Sequence, residues 1–226
     1  MRRFIGILKK CILFRGIEED EILSMLSCLD ARVVDTRKGE YIFSEGEAAK
    51  YVGIVLTGEA QIVRNDFFGN RTIVAAIMPG ELFGESFACA EVEELPVSVT
   101  ASENSEIMLI DCKRIITTCS SSCRFHNMII HNLLQVLATK NLAFNKKIEI
   151  TSKRTTRDKL MTYLLSQAKN HGSSSFEIPF DRQELADYLE VDRSGLSAEI
   201  SKLRKEGIIR CRRSDFELLK VNFSVF

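Results

Sequence analysis

Between Asp181 and Arg213 the chain gathers the residue types that hold a polyanion. Lys202, Arg204, Lys205, Arg210, Arg212 and Arg213 stand against the single acid Glu206 in the span from Lys202 to Arg213. Lys and Arg neutralise phosphate charge, and only Arg presents a planar fork that matches two acceptors on one guanine edge. Just upstream, Leu196, Ile200 and Leu203 recur at i, i+4 and i+7, while Arg193, Ser194, Ser197, Ala198 and Ser201 fall on the opposite side. The chemistry implied is noncovalent reading of a duplex: Arg193 reaches base edges from the first turns of a helix while hydroxyls and cations hold the backbone. A charge run alone also fits an ordinary solvated face. The spacing around it carries the argument.

Two short helices and a hairpin must position these groups. Asp181 and Glu184 have capping-box spacing, and Leu185, Ala186 and Leu189 make the apolar stripe of a first helix that stops at Glu190-Val191-Asp192. Asp192 caps the second helix and Gly207 ends it. Ile208 to Arg212, a turn at Arg213-Ser214-Asp215, and Phe216 to Lys220 alternate as a two-stranded hairpin. This pattern predicts a winged helix-turn-helix. Its candidate DNA-binding set is Arg182, Arg193, Ser194, Ser197, Ser201, Lys202, Lys205, Arg212 and Arg213.

The runs Arg182 to Leu189, Val191 to Ser194, Leu196-Ser197 and Leu203 to Ile209 resemble the DNA-binding end of Crp/Fnr-type bacterial transcription regulators. The preceding sequence extends the likeness. Residues 4 to 29 have helical apolar spacings around Arg15-Gly16. From Ala31 to about Ile110 glycine turns such as Lys38-Gly39-Glu40, Thr57-Gly58-Glu59, Gly69-Asn70 and Pro79-Gly80-Glu81 punctuate alternating stretches, among them Tyr41 to Phe43, Val52 to Leu56, Ala60 to Val63 and Thr72 to Ile77. Those are signals of a small antiparallel barrel, and the punctuation resembles the β-roll of cyclic-nucleotide-binding domains. The resemblance implies an α+β chain with an N-terminal antiparallel β-roll (a double-stranded β-helix), a long central dimerisation helix and a C-terminal winged helix-turn-helix.

In that family a short helix, here opening at Gly84-Glu85-Ser86, aims backbone N–H groups at an anionic ligand. Nucleotide-binding members follow it with an Arg and a small hydroxyl or Ala residue, the Arg pairing with the cyclic phosphate. Those positions fall on Leu95 and Pro96, which cannot neutralise a phosphate. The loss should cost several kcal/mol, since each such bond contributes roughly 1.5 to 3. The effector expected is therefore an unidentified small molecule other than cyclic AMP, in a pocket built from Phe83, Gly84, Glu85, Ser86, Phe87, Leu95, Pro96 and Val97.

From about Ser121 to Ile150, Phe125, Ile129, Leu133, Val136, Leu137, Phe144 and Ile148 repeat at three- and four-residue steps with no Gly or Pro. One helix of about 30 residues, roughly 45 Å long, follows. Its apolar side is too long for one small domain to cover. A two-stranded seam with a second copy through Phe125, Ile129, Leu133, Val136 and Leu137 is the economical explanation, and it matches the family's dimer helix. The organisation expected is 1–118 sensor with leading helices, 119–150 dimer helix and 151–226 DNA-binding domain. A further helix is expected from Lys153 to Asn170, and a strand from Phe176 to Phe180.

The 226 residues are 45% hydrophobic, with 31 basic and 31 acidic side chains, so net charge does not indicate a partner. Residues 151–226 hold 14 basic and 11 acidic groups, leaving 17 and 20 before them, a mild asymmetry in the direction a DNA-binding end requires. No apolar run approaches the roughly 20 residues that span a bilayer, and the start has no signal-peptide core, so a cytoplasmic protein is expected. Seven cysteines, at 11, 28, 89, 112, 119, 123 and 211, have neither a disulfide spacing nor a paired CxxC set and read as reduced thiols. Cys119, Cys123 and His126 fall at i, i+4 and i+7, where a helix core explains them better than a metal; no metal is expected and no cofactor can be named. No convergent nucleophile and base, P-loop or His–Glu metal motif is present, so the chain does not read as an enzyme. A cupin-like metal enzyme would need histidines that the barrel lacks before His126. The partners expected are double-stranded DNA, a second copy of the chain and RNA polymerase. A ligand-gated protein adaptor is the alternative, and it predicts no salt-dependent affinity for duplexes.

Overall fold

The computed structural model describes residues 1–65, 71–117 and 124–219, in two compact units, Met1–Lys140 and Asn141–Phe226. The first opens with α1 (Ile5–Leu8) and α2 (Glu19–Cys28), followed by β1 (Arg32–Thr36), β2 (Tyr41–Phe43), β3 (Tyr51–Thr57), β4 (Ala60–Asn65), β5 (Arg71–Ile77) and β6 (Leu82–Phe83). Then come α3 (Glu85–Cys89), β7 (Ser98–Ala101), β8 (Ser105–Asp111), α4 (Cys112–Ile116) and α5 (Arg124–Thr151), which runs on into the second unit. The strands form two four-stranded antiparallel sheets, ordered β1-β8-β3-β6 and β2-β7-β4-β5. This is the expected roll.

Two-residue periodicity sorts its side chains. In β3 and β8 one set, Val52, Ile54, Met108 and Ile110, packs with Leu8, Phe14, Ile22, Leu26, Ile129 and Leu133, whereas Val55, Ile107 and Leu109 point into the roll against Phe43, Phe83, Leu95 and Val99. Both faces of these strands are covered, which is why Val52 to Leu56 reads as a nearly unbroken apolar run.

The helix α5 corrects the expected seam. Ile129, Leu133 and Val136 are buried within their own chain, and Phe125 and Leu137 are half-buried against the same core. Asn132 is buried there too, donating its amide to the carbonyls of Leu13 and Arg15. The run read as one stripe is two. A second set, Ile130, Leu134, Leu137, Asn141, Phe144 and Ile148, recurs at steps of four and three along the helix, and Leu134, Phe144 and Ile148 are 60 to 66% exposed.

In the second unit, α6 (Thr156–His171) starts three residues later than periodicity predicts, because the Thr155 hydroxyl accepts the Asp158 N–H and sets the boundary. It is followed by β9 (Ser175–Glu177), α7 (Arg182–Leu189), α8 (Arg193–Lys205), β10 (Ile209–Arg212) and β11 (Asp215–Leu218). The strands form one sheet ordered β10-β11-β9, so the wing has a third strand, Phe176 lying opposite Phe216. Leu160, Leu164, Leu185, Leu189, Leu196, Ile200 and Leu203 fill the core beneath it. Gly69, Asn70, Cys119, Cys123 and Lys220, and the expected boundary at 118/119, lie outside the described residues. Among the described residues no helix is long and apolar enough to cross a membrane.

Candidate nucleic-acid interface and effector cleft

Local hydrogen bonds build the two-helix motif as the spacing requires. Asp181 Oδ1 accepts the Glu184 N–H at 2.8 Å and Glu184 Oε2 accepts the Asp181 N–H at 2.7 Å, which satisfies two donors at the head of α7. Glu190 turns the chain with φ +54°, and Asp192 Oδ2 then accepts the Gly195 N–H at 2.9 Å to open α8. At the other end Gly207 takes φ +65°; its N–H reaches the Arg204 carbonyl and that of Ile208 the Leu203 carbonyl, the paired bonds of a Schellman motif. The hairpin turn is tighter than expected, two residues, with Arg212 opposite Asp215 and Arg213 at φ +54°.

On this frame Leu196, Ile200 and Leu203 are buried, and Arg193, Ser194, Ser197, Ala198, Ser201, Lys202 and Lys205 are exposed together. Not all keep their groups free. The Ser194 hydroxyl donates to Asp192, and that of Ser201 to the Ser197 carbonyl at 2.9 Å. Lys202 lies 3.6 Å from Glu199. Arg182 is half-buried, its guanidinium 5.8 Å over the Phe216 ring and 3.5 Å from the Arg213 carbonyl, so it braces the wing. Arg210 pairs with Glu217 at 2.6 Å across the hairpin, and Glu206 pairs with Arg157. Among the described residues Arg193, Lys205, Arg212 and Arg213 have no carboxylate partner. With Arg204, which is exposed and likewise has no carboxylate partner among the described residues, they are the cations left for phosphate and base.

Two further cations fasten the motif from outside it. Lys147, near the end of α5, lies 4.3 Å over the Tyr188 ring, donates to the Tyr188 carbonyl and is 3.6 Å from Glu190; Lys159 of α6 donates to the Glu190 carbonyl at 3.2 Å. Both offset the unpaired carbonyls at the end of α7. No sequence signal marked either.

In the sensor unit, a cleft of about 200 Å³ is lined by Arg32, Ile42, Phe43, Glu47, Ala48, Ala49, Lys50, Tyr51, Gly84, Leu95 and Leu109. Of the eight residues expected there, only Gly84 and Leu95 line it. Phe83 belongs to the roll's core, its ring 5.3 Å from that of Phe43; Val97 is buried, Phe87 half-buried, and Ser86 and Pro96 are exposed. Glu85 is buried and engaged: its Oε1 accepts Lys140 Nζ at 2.7 Å and the Ser86 hydroxyl at 3.0 Å. Gly84 caps α3 with φ +76°, and a Cβ there would lie 2.8 Å from the Phe43 ring, so shape and backbone both demand glycine. The sequence reading missed Arg32, stacked 4.6 Å over Tyr51, and Lys50, because no motif ties them to Gly84.

Comparison with known proteins agrees with both halves. A model of the cyclic nucleotide-binding domain matches residues 33–122, and one of the Crp-like helix-turn-helix domain matches residues 158–222. The chain is similar to the cyclic AMP receptor protein of Thermus thermophilus, 25% identical over 198 residues that cover 88% of each protein. It is also similar to the transcriptional activator protein FnrL of Cereibacter sphaeroides, 22% identical over 186 residues, 76% of this chain and 69% of that one. Among solved structures, the c-di-GMP-responsive global regulator CLP of Xanthomonas campestris superposes with a TM-score of 0.54 over 90% of this chain and 100% of that one, at 17% identity.

Proposed function

This chain belongs to the Crp/Fnr family of DNA-binding transcription regulators, and from that premise we propose that it acts as a homodimer on a two-fold symmetric operator, under a small-molecule effector other than cyclic AMP. The observation that carries the reading is the exposed cationic set Arg193, Lys205, Arg212 and Arg213 on a capped second helix and its wing. With this geometry α8 enters the major groove while the wing lies along the phosphates. Arg193 reads a base, and the other three hold the backbone.

The dimer forms through the second stripe of α5. Ile130, Leu134, Leu137, Phe144 and Ile148 have the 3.5-residue spacing of a two-stranded seam, and Asn141 stands in it as a polar residue that sets register at some cost in stability. The effector occupies the cleft beside Gly84 and Leu95, where, among the described residues, Arg32 and Lys50 are the cations lining it. The protein binds and does not catalyse; it works in the cytoplasm and acts on RNA polymerase from the operator.

Fluorescence anisotropy of the full-length protein on selected duplexes, from 50 to 300 mM salt at about these bounds, tests the reading. Affinity should fall linearly on a log–log plot with a slope set by the number of phosphates neutralised. An affinity independent of salt would favour a protein-binding adaptor.

A further inference from the structure

Cys89 ends α3 and Cys112 begins α4, and their sulfurs lie 3.4 Å apart although 23 positions separate them. A disulfide bond is about 2.05 Å long, so the sulfurs need approach by only about 1.4 Å. Both thiols are free; Cys89 is half-buried and Cys112 is 2% exposed. The hydrogen bond from Cys112 stabilises the Cys89 thiolate and lowers its pKa, although burial and Glu85 oppose this. The same bond, together with burial and the nearby acids Asp111 and Glu91, keeps Cys112 protonated. One thiol is thus more exposed and more nucleophilic than its neighbour.

We propose that Cys89 and Cys112 form a redox-modifiable dithiol, with Cys89 the attacking and Cys112 the resolving thiol, oxidised by a low-molecular-weight disulfide of the glutathione type. The Cys89 thiolate attacks one sulfur of that disulfide, forming a mixed disulfide and releasing the first small thiolate. Cys112 then loses its proton and attacks Cys89 Sγ, which forms the internal bond and expels the second small thiolate. The protein loses two electrons, the small disulfide gains them, and the two protons from the cysteines leave with the two small thiols. The bond fixes α3 against α4. Both helices brace α5, α3 through Glu85 and Lys140, and α4 through the Ile115 carbonyl, which accepts from His126 Nε2 at 2.9 Å. Oxidation therefore acts on the central helix at His126 and Lys140.

The test is peptide mapping of the alkylated full-length protein after equilibration at rising ratios of oxidised to reduced glutathione. A Cys89–Cys112 cross-linked peptide should appear and grow with the ratio. In Cys112→Ser the glutathione adduct should accumulate on Cys89, whereas in Cys89→Ser the adduct on Cys112 should form at least about tenfold more slowly. Failure to form this cross-link at the most oxidising ratio, a dominant cross-link through other cysteines, or faster modification of Cys112 than of Cys89 would overturn the proposal.

Discussion

Lys140 Nζ lies 2.7 Å from Glu85 Oε1 and ties the central helix to the head of α3, the carboxylate 2% exposed and the ammonium 44% exposed. Glu85 Oε2 has no hydrogen-bond partner among the described residues, so the carboxylate depends on this single cation and on the Ser86 hydroxyl. Stripping one member from a fully buried pair costs about 3 to 5 kcal/mol; the half-exposed ammonium reduces this, and Lys140→Ala should lose about 1 to 3 kcal/mol by urea unfolding. Lys140→Arg should retain most of the wild-type stability. An alanine variant as stable as the wild type would show the pair to be idle.

The two stripes of α5 predict different failures. Leu134→Asp places a charge on the exposed stripe and should yield a folded monomer by sedimentation velocity, whereas Leu133→Asp buries a charge in the protomer's own core and should unfold the sensor unit. A folded Leu134→Asp dimer would rule out the proposed seam.

Asp192 governs how the reading helix responds to acid. The Ser194 hydroxyl and then the Gly195 amide hold its carboxyl below the ordinary value. Because the folded pKa is the lower one, the stabilisation is complete above the unfolded value, about pH 4, and is lost as pH falls through the folded value. Asp192→Asn keeps a cap acceptor but cannot titrate. Its unfolding midpoint, followed by circular dichroism, should therefore match the wild type near neutrality and fall less steeply in acid.

Cyclic AMP should leave the protein unaffected. Leu95 lines the cleft with an apolar side chain, and Pro96 beside it is exposed. Titration calorimetry should register no saturable heat at micromolar to millimolar nucleotide. Micromolar binding would mean that Arg32 and Lys50 have taken over the phosphate.

Arg193 should read sequence while Lys205 and Arg212 should not. Arg193→Ala should lose about 1 to 3 kcal/mol per half-site and relax discrimination at one base pair, whereas Lys205→Ala or Arg212→Ala should weaken all duplexes alike and flatten the salt dependence. Ala198 can at most touch a thymine methyl group, so the operator has little second readout on this helix. Selection of sites from random DNA with each variant separates the two behaviours. An unchanged preference for Arg193→Ala at every position would move the reading role elsewhere.

What could be read from the residues alone was local. The Asp181–Glu184 and Asp192–Gly195 caps, the Gly207 terminus and the alternation of β2 to β5 depend on groups within a few positions of one another, so spacing alone specifies the hydrogen bonds and faces. Tertiary packing decided the rest. Periodicity merges into one stripe what the structure separates into a buried Ile129–Leu133–Val136 side and an exposed Leu134–Phe144–Ile148 side, because only the position of the leading helices reveals that the first is already covered. Composition lists Arg182 and Arg210 with the DNA-facing cations, yet Phe216 and Glu217 engage them once the hairpin folds back. The meeting of Cys89 with Cys112, and of Arg32 and Lys50 with Leu95, joins residues far apart along the chain. Nothing in their local sequence constrains those distances; the closure of the roll does.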